Sequence, residues 1–245
     1  MDLYERGTAT LVASWAAFAR GAPGAAMTRA PGVAAGVFPA GPERDVFNNA
    51  LLDRGLPAAG RAAAIRAMEA AYADAGVGRF AAWVHETDGP LRADLAARGY
   101  RVEESTLAMG LSLDRIPVPR PEVELAAPEW AEHLRILEVP PGLLAGADPA
   151  GFHVLTGCLD GAAVSTAMAY DLDGDCGIYN VSTLEPARRR GLGTALTAVH
   201  LHDAAARGCR TASLQSSPMA EGVYTAVGFR SLGRILEYVP GDTTI

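Results

Sequence analysis

Lysine is missing altogether: all 21 basic residues among the 245 are arginine. Chemistry that needs a side-chain amine, such as a Schiff base, is therefore excluded. Cysteine is scarce. Cys158, Cys176 and Cys209 lie far apart, no pair has the CxxC spacing of a metal site, and three is the wrong number for a disulfide framework. Reduced, mostly buried thiols in a cytoplasmic protein are expected. Long apolar runs are also lacking. The stretch Thr8–Ala19 is too short to span a bilayer. It follows Asp2 and Glu5 rather than a basic segment, so it makes a poor signal peptide. Nor is there surplus positive charge. The formal net charge is −7, which argues against nucleic acid or an anionic membrane as a partner.

What is present is enough apolar sequence, 49%, for a sizeable core. The length suits one large domain or two small ones. Charge is uneven: residues 1–116 hold 12 Arg against 13 acidic residues, and residues 117–245 hold 9 against 15. The acidic second half weakly favours a cationic substrate such as an amine.

Residues 3–20 read as a helix with Leu11, Trp15 and Phe18 on one face. Residues 21–42, rich in Gly and Pro, read as two short strands or extended loops. A helix is expected over 45–54 and a stronger one over 58–75. Then come a strand at 80–85, a short helix at 91–98 ending at Gly99, and a strand at 104–113. The alternating prolines Pro117, Pro119 and Pro121 oppose helix and place a domain boundary at 116/117. The second half reads as a strand at 123–127, a helix at 128–137 and three strands at 152–159, 162–171 and 176–183. Asp160-Gly161 and Asp173-Gly174 are hairpin turns between those strands. A helix to about 206, a strand at 212–216, a short helix at 220–227 and a strand at 231–239 complete the chain.

The stretch from Asn180 to Ala195 organises this half. It reads as a strand end, a basic glycine-containing turn and a helix start, with Leu192, Ala195, Leu196 and Val199 on one helix face. Glycine lets backbone approach a ligand. The new helix offers unpaired N–H groups and the positive end of its dipole. Arg188, Arg189 and Arg190 add forked donors suited to phosphate. By physical content this is a pyrophosphate cradle.

The sequence Arg188-x-x-Gly191-x-Gly193 between a strand and a helix resembles the acetyl-CoA motif of the GNAT N-acetyltransferases. A second match supports the resemblance. Ser217, Ala220, Tyr224, Gly228 and Phe229 hold the places of a family pattern that commonly begins with Asn, so Ser217 is a departure. The resemblance covers nearly all of residues 122–240. It implies an α/β fold with a mixed α+β sheet, the GNAT acyl-CoA N-acyltransferase fold. It implies acetyl-CoA as co-substrate, no metal, and direct attack of an amine on the thioester. Val181, Ser182 and Thr183 would meet the pantetheine in the manner of an added strand. Arg188, Arg189, Arg190, Gly191, Leu192, Gly193, Thr194 and Ala195 would surround the pyrophosphate, with Ser217 near the pantetheine. Tyr224 matches the general acid that protonates the leaving thiolate. The general base stays open among Glu185, Asp171, Asp173, Asp175, Glu138, Glu237, a water chain, or an amine arriving neutral. His200-x-His202 does not share a helix face and so makes a poor metal site.

The first half parallels the second. Ala97-Arg98-Gly99-Tyr100-Arg101 matches Ala226-Val227-Gly228-Phe229-Arg230 in pattern, yet Leu95 stands where the second half has Tyr224, and no Gly-x-Gly precedes the helix at 58–75. Tandem GNAT proteins with one silent half are known as a type. The expectation is a degenerate GNAT-like domain over 1–116, a catalytic domain over 117–245 and one acetyl-CoA per chain. Two other readings stay open: a non-catalytic acyl-CoA sensor, and a binder of a different phosphate ligand. An amine-bearing acceptor is the expected partner, and a homodimer is left open.

Overall fold

The structure, a computed structural model, describes residues 2–41, 47–140 and 142–241. Helix α1 spans Leu3–Ala19, followed by β1 (Ala26–Ala30), β2 (Val33–Val37), β3 (Asn49–Leu52), α2 (Ala58–Asp74), β4 (Ala81–His85), α3 (Gly89–Ala97) and β5 (Tyr100–Ser112). Next are β6 (Leu125–Ala126), α4 (Trp130–Ile136), β7 (His153–Leu159), β8 (Ala162–Leu172), β9 (Asp175–Thr183), α5 (Leu192–Ala206), β10 (Thr211–Ser216), α6 (Glu221–Ala226) and β11 (Arg230–Pro240).

The chain divides into two compact units. The first comprises Trp15–Thr106 and Gly233–Ile245, the second Met1–Ser14 and Leu107–Leu232. In the first unit β1, β2 and β3 pair antiparallel, β4 lies parallel to β3, and residues 235–238 of β11 pair antiparallel with β4. Helix α2 presents Ala64, Ile65, Met68 and Tyr72 as a single buried face. Tyr72 stacks on Phe80 with ring centroids 4.1 Å apart, and its hydroxyl donates to the Gly36 carbonyl. Asp88 caps α3 by accepting from the Leu91 N–H.

The second unit repeats this order. β7, β8 and β9 pair antiparallel, β10 runs parallel to β9, and residues 107–112 of β5 pair antiparallel with β10. The hairpin turns fall where the sequence placed them. Asp160 and Gly161, and Asp173 and Gly174, all have positive φ, the geometry that two-residue hairpin loops require. Each unit thus takes its flanking strand from the far side of a long sequence gap: β5 follows α3 but pairs with β10, and β11 follows α6 but pairs with β4. The boundary expected at 116/117 is corrected accordingly. Prolines there reported a local extended segment, whereas unit membership depends on strand pairing that sequence distance hides.

A second correction concerns residues 45–54. Positions 45 and 46 lie outside the described residues, and Asn49–Leu52 form β3 instead of a helix. The four residues are all buried, flanked by β2 on one side and β4 on the other. Pairing on both edges overrides the helical propensity of Ala50 and Leu51.

The second unit is pinned by Asp175, which opens β9 and is 1% exposed. Its carboxylate accepts from Thr10 Oγ1 at 2.8 Å, Thr211 Oγ1 at 2.6 Å and Ser213 Oγ at 2.7 Å. A buried carboxylate is tolerable only when hydrogen-bonded in this way. Asp175 is therefore a structural residue and is corrected as a base candidate, because no substrate can reach it. Thr10→Val removes one donor to the carboxylate at nearly constant volume. Chemical denaturation should show a loss of about 1.5–3 kcal/mol, and a change within error of zero would mean that the anchor does not depend on α1.

Candidate active site

Parallel pairing between β9 and β10 covers Thr211↔Asp175, Ala212↔Cys176 and Ser213↔Gly177 and goes no further. Beyond it the two strands part, and among the described residues no strand pairs with the far end of β9 on that edge. On the other edge β9 stays on β8, with a register shift between Thr166 and Met168. The extra residue on β9 is taken up at Asn180, whose φ of 53° is left-handed. Asn tolerates that conformation better than other non-glycine residues, and the resulting bulge re-aims the strand end.

The Leu184 N–H donates to the Val164 carbonyl. Antiparallel alternation then turns the backbone groups of Ser182 toward β8 and those of Thr183 toward the gap. Ser182 also sends its hydroxyl to the Ile136 carbonyl, at 3.4 Å. Of the three strand residues expected at the pantetheine, Thr183 faces the gap. Val181 packs on the buried cluster that includes Leu214 and Tyr224, and Ser182 is turned away.

After β9 a short turn of 3₁₀ helix at Glu185–Ala187 leads into the basic segment. Arg188 Nε donates to the Thr183 carbonyl at 2.9 Å, so this side chain braces the turn. Arg189 (φ 65°) and Gly191 (φ 80°) are both left-handed. A Cβ added at Gly191 would meet nothing within 4 Å, so open space stands before it. Gly191 is the N-cap of α5 and no side chain caps the helix. Helix geometry leaves the N–H groups of Leu192, Gly193 and Thr194 without intrahelical acceptors. The Leu192 side chain itself is buried in the core, so only its backbone is offered. The Ala195 N–H already donates to the Gly191 carbonyl, which removes it from the donor set. Arg188, Arg189 and Arg190 are exposed. These groups fit an anionic, phosphate-bearing ligand at the head of α5.

Tyr224 lies in α6, 8% exposed, edge-on to Phe229 with centroids 6.2 Å apart. Burial pushes its hydroxyl up to about 12, so it keeps its proton at any physiological pH. Ser217 is exposed just past β10, and its carbonyl accepts from the Ala220 N–H. Among the base candidates, Asp171 is held by Arg207 at 2.7 and 3.0 Å, and Glu185 and Glu138 are exposed. Glu237 belongs to the first unit. Among the described residues no cluster of three or more His, Cys, Asp or Glu could hold a metal.

Sequence reasoning missed the left-handed turns at Asn180 and Arg189, and it missed two buried histidines. His133 on α4 is 0% exposed, with Nδ1 2.7 Å from Thr166 Oγ1. The hydroxyl donates to the Leu155 carbonyl, so it accepts from His133 Nδ1–H. His200 on α5 is 1% exposed. The only sequence signal for either was an apolar helix neighbourhood.

Residues 116–229 match the model of the acetyltransferase (GNAT) family. That segment is thus similar to the family, whose members use acetyl-CoA. Among curated proteins no match is found. The fold is similar to a GCN5-related N-acetyltransferase from Kribbella flavida, with a TM-score of 0.68 at 18% identity over 94% of this chain and 95% of that one. A GCN5-related N-acetyltransferase from Sphaerobacter thermophilus gives a TM-score of 0.61 at 18% identity, over 94% of each chain. A tandem GNAT protein from the clavulanic acid biosynthesis pathway gives 0.58 at 15%, over 96% of this chain and 94% of that one. At these identities the likeness is one of fold.

The histidines set an acid limit on this unit. Burial holds both His133 and His200 down to about 4, from an ordinary 6.5. With the folded value depressed, the unfolded chain binds more protons between the two, so stability is complete above pH 6.5 and falls as pH drops toward 4. Each shift corresponds to a loss on the order of 3 kcal/mol. Thermal melts from pH 7 to pH 4.5 should fall steeply, and less steeply for His133→Asn. Parallel curves for the two proteins would contradict the assignment.

Proposed function

We propose that this protein is an N-acetyltransferase that moves the acetyl group of acetyl-CoA to a primary amine by direct attack. The observation that carries this reading is the parting of β9 and β10 beyond Gly177 and Ser213, directly upstream of an uncapped, arginine-flanked helix start. A gap that admits an extended chain, next to a phosphate cradle, suits a pantetheine joined to a pyrophosphate. Thr183 would pair with the pantetheine amide as a strand does. The N–H groups of Leu192, Gly193 and Thr194, with Arg189 and Arg190, would hold the pyrophosphate.

The neutral amine adds to the thioester carbonyl, the C–N bond forms and the C–S bond breaks. The thiolate takes the proton of Tyr224 Oη, and the amine nitrogen releases one of its own to solvent. Burial suits Tyr224 to this task, since a group held near 12 is fully protonated when the thiolate departs. In this reading the first unit is a degenerate GNAT-like repeat that takes no cofactor, the protein is cytoplasmic, and nucleic acid and membranes are not partners.

Gly191→Asp tests the cradle. Asp tolerates the left-handed conformation, so the variant should fold, while its carboxylate meets the phosphates. Acetyl-CoA should raise the melting temperature of the wild type by mass action and leave that of the variant unmoved. An equal shift in both proteins would place the cofactor elsewhere.

Tyr224→Phe tests the acid. Turnover should drop by roughly 10²–10⁴-fold, with KM for acetyl-CoA changed by less than about threefold. Wild-type kcat should rise with pH as the amine deprotonates and should not fall again before about pH 10. Tight acetyl-CoA binding with no turnover against a broad amine panel would favour a sensor instead.

A further inference from the structure

Five non-glycine residues among those described have a left-handed φ, and four of them are explained by the turns they make. Asp160 and Asp173 close hairpins, Asn180 makes the bulge in β9, and Arg189 shapes the basic turn. Glu138, with φ 57°, is the fifth. It follows the end of α4. The Glu138 N–H donates to the Arg135 carbonyl and the Val139 N–H to the Leu134 carbonyl. These are the paired bonds of a helix terminus whose left-handed position usually belongs to glycine. Glutamate has neither the freedom of glycine nor the short polar side chain that eases Asn and Asp into this conformation. Strained residues persist where the surrounding structure holds them, and they gather at functional sites.

The end of α4 lies beside the gap. Ser182 Oγ donates to the Ile136 carbonyl at 3.4 Å, which ties α4 to β9 one residue before Thr183, the residue that faces the gap. Two residues, at most roughly 7.6 Å of backbone, separate Ile136 from Glu138. Helix α4 is on the face of the sheet opposite α5. His133 of α4 bonds to the Thr166 side chain, and Thr166 pairs with Thr156. A Cβ on Gly157, the next residue along that strand, would meet Leu196 of α5 instead, and successive strand residues point to opposite faces. Tyr224 packs with Ala198 and Leu201 of α5. The end of α4 and the proposed acid are thus on opposite faces of the sheet. The Glu138 side chain is exposed and, among the described residues, makes no ion pair or hydrogen bond. Arg135, the arginine of α4, is taken by Glu132 at 2.6 and 2.8 Å.

We propose that Glu138 is an acceptor-binding residue. Its carboxylate accepts an N–H of a cationic primary amine and holds that nitrogen beside the gap, across the sheet from Tyr224. The inference rests on the acetyl-transfer reading and adds the charge of the acceptor to it. A charge-assisted bond of this kind favours an amine over an alcohol of the same shape. The acidic sum of residues 117–245 works in the same direction.

The probes are 2-phenylethylamine and 2-phenylethanol, titrated calorimetrically into the full-length protein in the presence of excess CoA. The amine should bind saturably and at least about tenfold more tightly than the alcohol. Glu138→Gln, which keeps the size of the side chain, should weaken the amine by about tenfold or more and bring it level with the alcohol. Its affinity for CoA should stay within about twofold of wild type. Glu138→Gly should lose the amine in the same way and melt about 2–4 °C higher, because glycine takes the left-handed position without strain. A residue that served only the fold would not pair lost binding with gained stability. With acetyl-CoA in place of CoA, amine binding that depends on Glu138 but yields no N-acetyl product would uphold this contact and defeat the transfer chemistry. Equal affinity of the two probes for the wild type, absence of saturable amine binding, or unchanged amine affinity in Glu138→Gln would overturn the proposal. So would a melting temperature of Glu138→Gly no higher than that of the wild type.

Discussion

The second unit depends on a clasp at Asp175. One buried carboxylate draws together a hydroxyl from α1, at Thr10, and two from β10, at Thr211 and Ser213. The parallel pairing of β9 with β10 extends only from Asp175 to Gly177. A parallel pair of three residues is a weak join by itself, and charge-assisted bonds reinforce it where it exists. Fixing the strands firmly at one end is what allows them to part at the other without the sheet slipping. The bulge at Asn180 and the left-handed residues Arg189 and Gly191 lie between the parted end of β9 and the start of α5, and the space beside the Gly191 Cα is open.

Electrostatics at that helix start runs against the charge of its surroundings. Residues 117–245 are acidic in sum, yet the turn carries three consecutive arginines, and among the described residues none has a carboxylate within ion-pair distance. The local field is set by near groups, since charges beyond about 10 Å are largely screened at ordinary salt. An anion at the turn meets the arginines and the helix dipole, while a cation elsewhere on the unit meets the acidic background. Arg188 departs from its neighbours because its Nε is turned back to the Thr183 carbonyl. That contact ties the turn to the end of β9.

The exchange of flanking strands explains why the proline-rich stretch near residue 117 is a poor place to cut. The second unit draws on Met1–Ser14 and on residues from Leu107 onward. A chain beginning at Pro117 would lose the antiparallel neighbour of β10 and the Thr10 donor to Asp175. What remains would be an open sheet edge and a buried carboxylate short of a partner, both of which disfavour folding.

The sequence determined most of the local structure. The Asp-Gly pairs announced the hairpins at 160–161 and 173–174, the apolar spacing announced α2 and α5, and the glycines with the arginine run announced the turn between β9 and α5. Each of these is decided within a few residues by backbone sterics or helical period. Tyr224 was legible only through its spacing to Gly228 and Phe229. Only the tertiary structure decided that β5 belongs with β10 and β11 with β4, that Asn49–Leu52 is a strand, and that Asp175 is an anchor. It alone showed that Ser182 faces β8 while Thr183 faces the gap, and that His133 and His200 are buried. The physical reason is the same throughout. Strand partners, burial and the direction of a backbone carbonyl depend on atoms brought close by pairing between separate segments of the chain, and no local pattern encodes which strand arrives.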